Sequence, residues 1–133
     1  MKSIGKIIYS PKSHLGSPQN WAVLMCDDEI GKYYRHLYEK EHQALNGEYS
    51  IKLGRSVWGT HCSFLRNDKL SNQKLWGLDA GKIIEFDYYP PVKNNKEYYW
   101  VEVSCPYLLD LRERLGLRRQ PKYPLHLTIG RIT

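Results

Sequence analysis

The sequence predicts an α+β fold built from two similar strand-and-helix lobes that face each other. Two observations carry this prediction. An apolar run of strand length leads into an amphipathic helix and then into a histidine-bearing strand twice along the chain, at 21–65 and again at 98–132. The 133 residues, 41% apolar and 26% charged, suit one folded domain spanning 1–133 with a proper core, and are too few for two independent ones. The duplication is one of pattern only, since no tandem-repeat identity accompanies it.

Taken in order, residues 6–9 read as a short strand, and Pro11, Gly16 and Pro18 mark the polar stretch 11–20 as a loop. Trp21–Cys26 is an apolar strand, after which Asp27 or Asp28 offers a helix N-cap with Glu29 in the first turn. Ile30, Tyr33, Tyr34, Leu37, Tyr38 and Leu45 then recur at helical spacing as far as the stop signal Asn46-Gly47. Strands are expected at 49–53 and 58–65, followed by a polar, irregular segment over 66–81. Residues 82–89 and 97–104 are rich in Ile, Phe, Tyr, Trp and Val and form a hairpin whose loop is the turn-forming stretch 90–96. Ser104 or Cys105 caps a second helix with Pro106 in its first turn and a Leu108, Leu111, Leu115 stripe, ended by Gly116. Residues 123–132 close the chain as a strand, giving the order β-β-α-β-β-β-β-α-β.

Twenty Lys and Arg against fourteen Asp and Glu give a formal charge of +6, a bias toward anions such as nucleotides or nucleic acids that also serves plain solubility. Cys26, Cys62 and Cys105 are odd in number, far apart and in apolar surroundings, which reads as buried free thiols in a reducing compartment. The N-terminal residues lack the apolar run of a signal peptide and no stretch approaches a membrane span, so a cytoplasmic protein without membrane association is expected. His36 and His42 stand at a six-residue spacing that does not align ligands on one helix face, and His14 lies in the early loop, so no metal site is indicated. Neither a Walker sequence nor a dinucleotide-binding glycine pattern is present, and no cofactor is expected.

The chemistry lies in the two histidine-bearing strands. In Leu125-His126-Leu127-Thr128-Ile129 the aliphatic side chains alternate with His126 and Thr128, so in a strand the imidazole and hydroxyl stand on one face, roughly 7 Å apart along the backbone. In His61-Cys62-Ser63-Phe64 the pattern recurs, with Cys62 and Phe64 on the reverse face. A single His-x-Ser/Thr tripeptide is commonplace. Two copies, each on an expected strand, each backed by apolar residues and each following a helix, define a matched set.

Cleaving a phosphodiester needs one group to take a proton from the attacking hydroxyl and another to return one to the leaving oxygen. Imidazole, with an unperturbed pKa of about 6.5, does either near neutrality, so His61 and His126 supply both functions without a metal. Ser63 and Thr128 are placed to donate hydrogen bonds to the non-bridging phosphate oxygens. Nothing in the sequence alone assigns base and acid between the histidines.

The pair His61-Cys62-Ser63 and His126-Leu127-Thr128 resembles the two signatures of the 2H phosphoesterase superfamily, the LigT-like or 2′-5′ RNA ligase-like proteins. The likeness extends to the spacing and the strand-helix-strand setting over most of the chain, although only the two motifs are specific, and the chain is shorter than many members. It implies a bilobal fold of two pseudo-symmetric lobes around a central cleft, with catalytic His61 and His126, phosphate-binding Ser63 and Thr128, and metal-independent cleavage of phosphodiesters involving a ribose 2′-oxygen. Substrates implied by the resemblance are nucleotides, RNA ends bearing 2′,3′-cyclic phosphates and cyclic oligonucleotides, including the signals of bacterial immunity; the compact chain is most similar to phage-type members.

Among supporting residues, Arg112, Arg114, Arg118, Arg119 and Lys122 form either a phosphate-steering rim or a solvated helix end. Lys122 and Arg131, with the motif-adjacent aromatics Trp58 and Tyr123, are the candidates for substrate contacts. No obligate protein partner is suggested. The alternatives to a phosphodiesterase acting on a cyclic or 2′-linked nucleotide are a non-catalytic RNA- or nucleotide-binding module and an RNA-end 2′,3′-cyclic phosphodiesterase.

Overall fold

The computed structural model describes residues 1–10, 20–47, 51–56 and 58–132. Among them the strands are β1 (Lys2–Tyr9), β2 (Trp21–Cys26), β3 (Leu53–Gly54), β4 (His61–Arg66), β5 (Ile83–Asn94), β6 (Tyr98–Ser104) and β7 (His126–Ile132). Helix α1 (Asp28–Asn46) follows β2, α2 (Pro106–Arg114) follows β6, and a short 3-10 turn occupies Gln73–Leu75. All pairings are antiparallel in the order β3-β7-β4-β2-β1-β5-β6, and β6 also pairs with β7. Six strands therefore close into a barrel, with β3 attached outside the ring along β7. The α+β class expected from the sequence is the class observed.

Boundary differences have local causes. β1 begins at Lys2 rather than Lys6 because its polar first half is paired along β5, from Lys2 opposite Asp87 to Lys6 opposite Ile83. The first motif strand begins at His61 rather than Trp58, since Gly59 at φ +80° turns the chain just before it. The second begins at His126 rather than Tyr123, after Pro124, which has no N–H for a ladder. β5 continues through Pro90 and Pro91 to Asn94, because an irregularity between Tyr89 and Lys93 takes the prolines out of the pairing. The turn is correspondingly tight, with the Asn95 side chain accepting from the Glu97 and Tyr98 amides. The strand expected at 49–53 is observed only as Leu53–Gly54; Tyr49 and Ser50, like the expected loop positions 11–19 with His14, lie outside the described residues.

Helix starts follow the sequence signals. The Asp27 carboxylate accepts the Glu29 amide at 2.9 Å to cap α1, and Pro106 opens α2, where a missing N–H costs nothing. The stripe Leu108, Leu111 and Leu115 joins Tyr34 of α1 and the strand residues Leu24, Cys62, Phe64, Val101, Leu127 and Ile129 in one buried core. α1 lies against β7 and α2 against β4. Each helix thus braces the motif strand of the other half.

The course β1-β2-α1-β4 is repeated by β5-β6-α2-β7, and the halves meet where β1 pairs with β5 and β4 with β7. The correspondence holds residue by residue. On β4, Ser63 is opposite Val23, Leu65 opposite Ala22 and Arg66 opposite Trp21; on β7, Thr128 is opposite Trp100, Gly130 opposite Tyr99 and Arg131 opposite Tyr98. Both motif strands therefore carry one extra residue, Phe64 and Ile129, at the same place after the histidine.

Candidate active site

A six-stranded barrel is too narrow to admit a helix, so α1 and α2 lie outside it, over the face that carries Cys62, Phe64, Leu127 and Ile129. Alternation turns His61, Ser63, His126 and Thr128 to the inner face. β4 and β7 are hydrogen-bonded neighbours with His61 directly opposite Thr128, so the hydroxyl of the second motif stands across from the histidine of the first. The four motif residues predicted from the sequence are brought together. His61 is 5% exposed, whereas Ser63, His126 and Thr128 are half-buried.

Both imidazoles are held in the same way. His61 Nδ1 lies 2.8 Å from the Gly59 carbonyl and His126 Nδ1 2.9 Å from the Pro124 carbonyl, each two residues back along the chain. A carbonyl only accepts, so Nδ1 carries the proton in each ring and Nε2 is left with its lone pair in the neutral form. Burial lowers the pKa of His61 below its ordinary value, outweighing the Gly59 hydrogen bond, and the proximity of His126 and Arg66 adds to the depression. His61 is accordingly held toward its neutral, proton-accepting form.

Two tryptophans that the sequence reading left among ordinary sheet residues complete the geometry. The Trp21 indole meets His61 edge-on at 5.6 Å and Trp100 meets His126 at 5.9 Å. Trp21 Nε1 also donates to Ser63 Oγ at 2.9 Å. Indole is a donor only, so the serine accepts there and its own O–H remains to be given elsewhere. The signal for both tryptophans is cross-strand register, which a linear sequence does not carry.

The matched bulges have a second effect. Simple alternation places Arg131 with Leu127 and Ile129, but the extra residue on β7 returns it to the face of Tyr98 and Trp100. Arg66, five residues after His61 as Arg131 is after His126, is returned in the same way to the face of Trp21 and Ser63. Arg66 was missed in the sequence reading, although the repeated arginine at the fifth position after each histidine was there to be seen.

Of the other candidates, Trp58 packs on Trp21 with ring centroids 5.1 Å apart and so belongs to the His61 side of the site. Lys122 and Tyr123 instead face each other, with Nζ 5.5 Å from the ring centroid, on the exposed segment before β7. The suggested basic rim is largely spent within the protein. Arg112 is buried against Phe64, Asp68 and Arg118, Arg114 pairs with Asp79, and Arg119 with Asp110 and Glu113. Cys62 and Cys105 are buried and Cys26 half-buried, all three free, and burial pushes the Cys26 thiol up to about 12.

Among the described residues no group of three or more His, Cys, Asp or Glu side chains converges as metal ligands, and no helix is long and apolar enough to cross a membrane. No protein-family model, curated protein or solved structure matches the chain.

Proposed function

We propose that the protein is a metal-independent phosphodiesterase of the 2H type, acting on a cyclic or 2′-linked (oligo)nucleotide, with a nucleotide immune signal as one such substrate. The observation that carries this reading is the matched pair of imidazoles on adjacent strands, each locked through Nδ1 to a carbonyl two residues back and each beside a hydroxyl. In this reading the two strand-and-helix halves are the two lobes of the 2H fold and the inner face is its cleft.

The depressed pKa of His61 suits the base: neutral Nε2 takes the proton of an attacking water or ribose 2′-hydroxyl as its oxygen bonds to phosphorus. His126, doubly protonated, gives its Nε2 proton to the oxygen that leaves, so one proton is taken and one returned. Ser63, whose acceptor side is occupied by Trp21, donates to a non-bridging oxygen, and Thr128 does the same from the other strand. Arg66 and Arg131 bring positive charge to the same face, and Trp100 offers a half-buried ring for a base.

The test is a panel of 2′,3′-cyclic nucleotides, 2′-5′ and 3′-5′ oligonucleotides and cyclic di- and trinucleotides, assayed in excess EDTA with product ends identified. Turnover of at least one class is expected, with kcat falling by about 10²–10⁴-fold in His61→Ala and in His126→Ala. Full activity in either variant refutes the reading. Salt-sensitive binding of the same ligands without turnover, unchanged in both variants, would instead identify a nucleotide-binding module.

A further inference from the structure

The two halves differ in how the peptide before each histidine is held. The peptide unit joining Gly59 to Thr60 is hydrogen-bonded at both ends: its C=O accepts from His61 Nδ1 at 2.8 Å, and its N–H donates to Asp28 Oδ1 at 2.9 Å. A carboxylate and an imidazole therefore sit at opposite poles of one peptide dipole. The unit is firmly placed. Thr60 is 2% exposed, its own carbonyl accepts the Cys26 amide at 3.0 Å, and a Cβ on Gly59 would lie 3.1 Å from Asp28 Oδ1. Asp28 is not needed as the helix cap, because Asp27 fills that role. At the corresponding start of α2 stands Pro106, which has no carboxylate to offer the His126 side.

We propose that Asp28 is a positioning residue for His61, acting through the Gly59–Thr60 peptide to fix the Nδ1–H tautomer and strengthen Nε2 as a proton acceptor, and that this link marks His61 as the base of the pair. The proposal rests on the phosphodiesterase reading for its catalytic meaning. Physically, hydrogen bonds in a chain polarise one another, most of all where water is excluded. A carboxylate pulling on the N–H puts more negative charge on the Gly59 oxygen, which then stabilises the Nδ1–H of the imidazolium formed when Nε2 takes a proton. The other charged groups facing His61 are His126 of β7 and Arg66 of β4, and both oppose that positive charge; β2 contributes the uncharged Trp21 and Met25. Asp28 offsets them along the one route that also orients the ring.

Asp28→Asn separates charge from geometry, since the amide oxygen still accepts from Thr60. Side-chain ¹⁵N and ¹³C NMR titrations of the full chain follow both imidazoles in wild type, in Asp28→Asn and in Asp27→Asn, which removes a neighbouring charge that has no link to the peptide. In Asp28→Asn the His61 pKa is expected to fall by roughly half a unit, about threefold in proton affinity, with the Nδ1–H tautomer kept and His126 unmoved. The acid limb of kcat/KM should shift downward with it. A His61 titration in Asp28→Asn indistinguishable from that in Asp27→Asn overturns the proposal. The two readings fail separately: a His61 shift without turnover of any diester keeps the relay and removes the enzyme, whereas turnover with an unmoved His61 does the reverse.

Discussion

At the scale of the residue, His61 and His126 differ more than their motifs suggest. Both rings make the same Nδ1 contact, but His61 is nearly enclosed and its pKa is depressed chiefly by burial. The depression ties its protonation to stability. The unfolded chain takes up the proton near pH 6.5 and the folded chain only below that, so between the two values the unfolded state binds more protons. The contribution of His61 is therefore fully present above about pH 6.5 and is lost as pH falls through its folded pKa. His61→Gln, which cannot take up that proton, should remove this part of the pH dependence. Paired thermal melts of wild type and variant from pH 8 to 5 check it: the gap between their Tm values should change in favour of the variant as the pH drops. A constant gap would show that the folded and unfolded pKa values coincide.

Elements explain why part of this site was legible and part was not. The histidines, hydroxyls and helix limits follow from local signals: period-two alternation, an Asp cap, an Asn-Gly stop. Trp21, Trp100 and Arg66 depend on cross-strand register and on bulges at Phe64 and Ile129, which alternation alone does not reveal. Arg112 shows the same limit from the other side. A cation near the end of a helix reads as solvated or phosphate-steering, yet the side chain is 2% exposed. Its Nη1 donates to the Phe64 carbonyl at 2.8 Å and to Asp68 at 3.0 Å, and its Nε to the Arg118 carbonyl at 2.9 Å. It thereby ties α2 to the bulge of β4 and to the segment that leads toward β7. Arg112→Met retains much of the apolar stem but takes the guanidinium from the Phe64 and Arg118 carbonyls, while Asp68, part-exposed and still accepting the Arg66 amide, is left less affected, at a cost of about 2 kcal/mol. Urea denaturation should show the loss as a lower midpoint with an unchanged m-value. A change below about 0.5 kcal/mol would mean that water replaces the guanidinium without penalty.

For the whole molecule, the halves cannot be weighed separately, because each helix braces the strand bearing the other half's histidine and the pairing of β4 with β7 completes the site. Charge acts at the same scale. Ion pairs such as Lys2–Glu85, Lys93–Glu102 and Arg114–Asp79 use up cations locally, but they remove equal acid and base and leave the +6 excess intact. In the proposed reaction, an anionic substrate approaching Arg66 and Arg131 meets that field before it meets either imidazole. Encounter should therefore depend on salt while the chemical step should not. As ionic strength rises from about 0.01 to 0.15 M the Debye length shrinks from about 30 to 8 Å, and kcat/KM is expected to fall by about tenfold with kcat nearly constant. Replacing Arg66 and Arg131 together by Gln should flatten that dependence, whereas removing Lys2, which is paired with Glu85 and Asp87 on a strand that adjoins neither β4 nor β7, should not. Steady-state kinetics at a series of KCl concentrations measure both quantities at once. A fall confined to kcat would place the salt effect on the proton transfers instead, and equal slopes in the arginine and Lys2 variants would show that the substrate senses net charge alone.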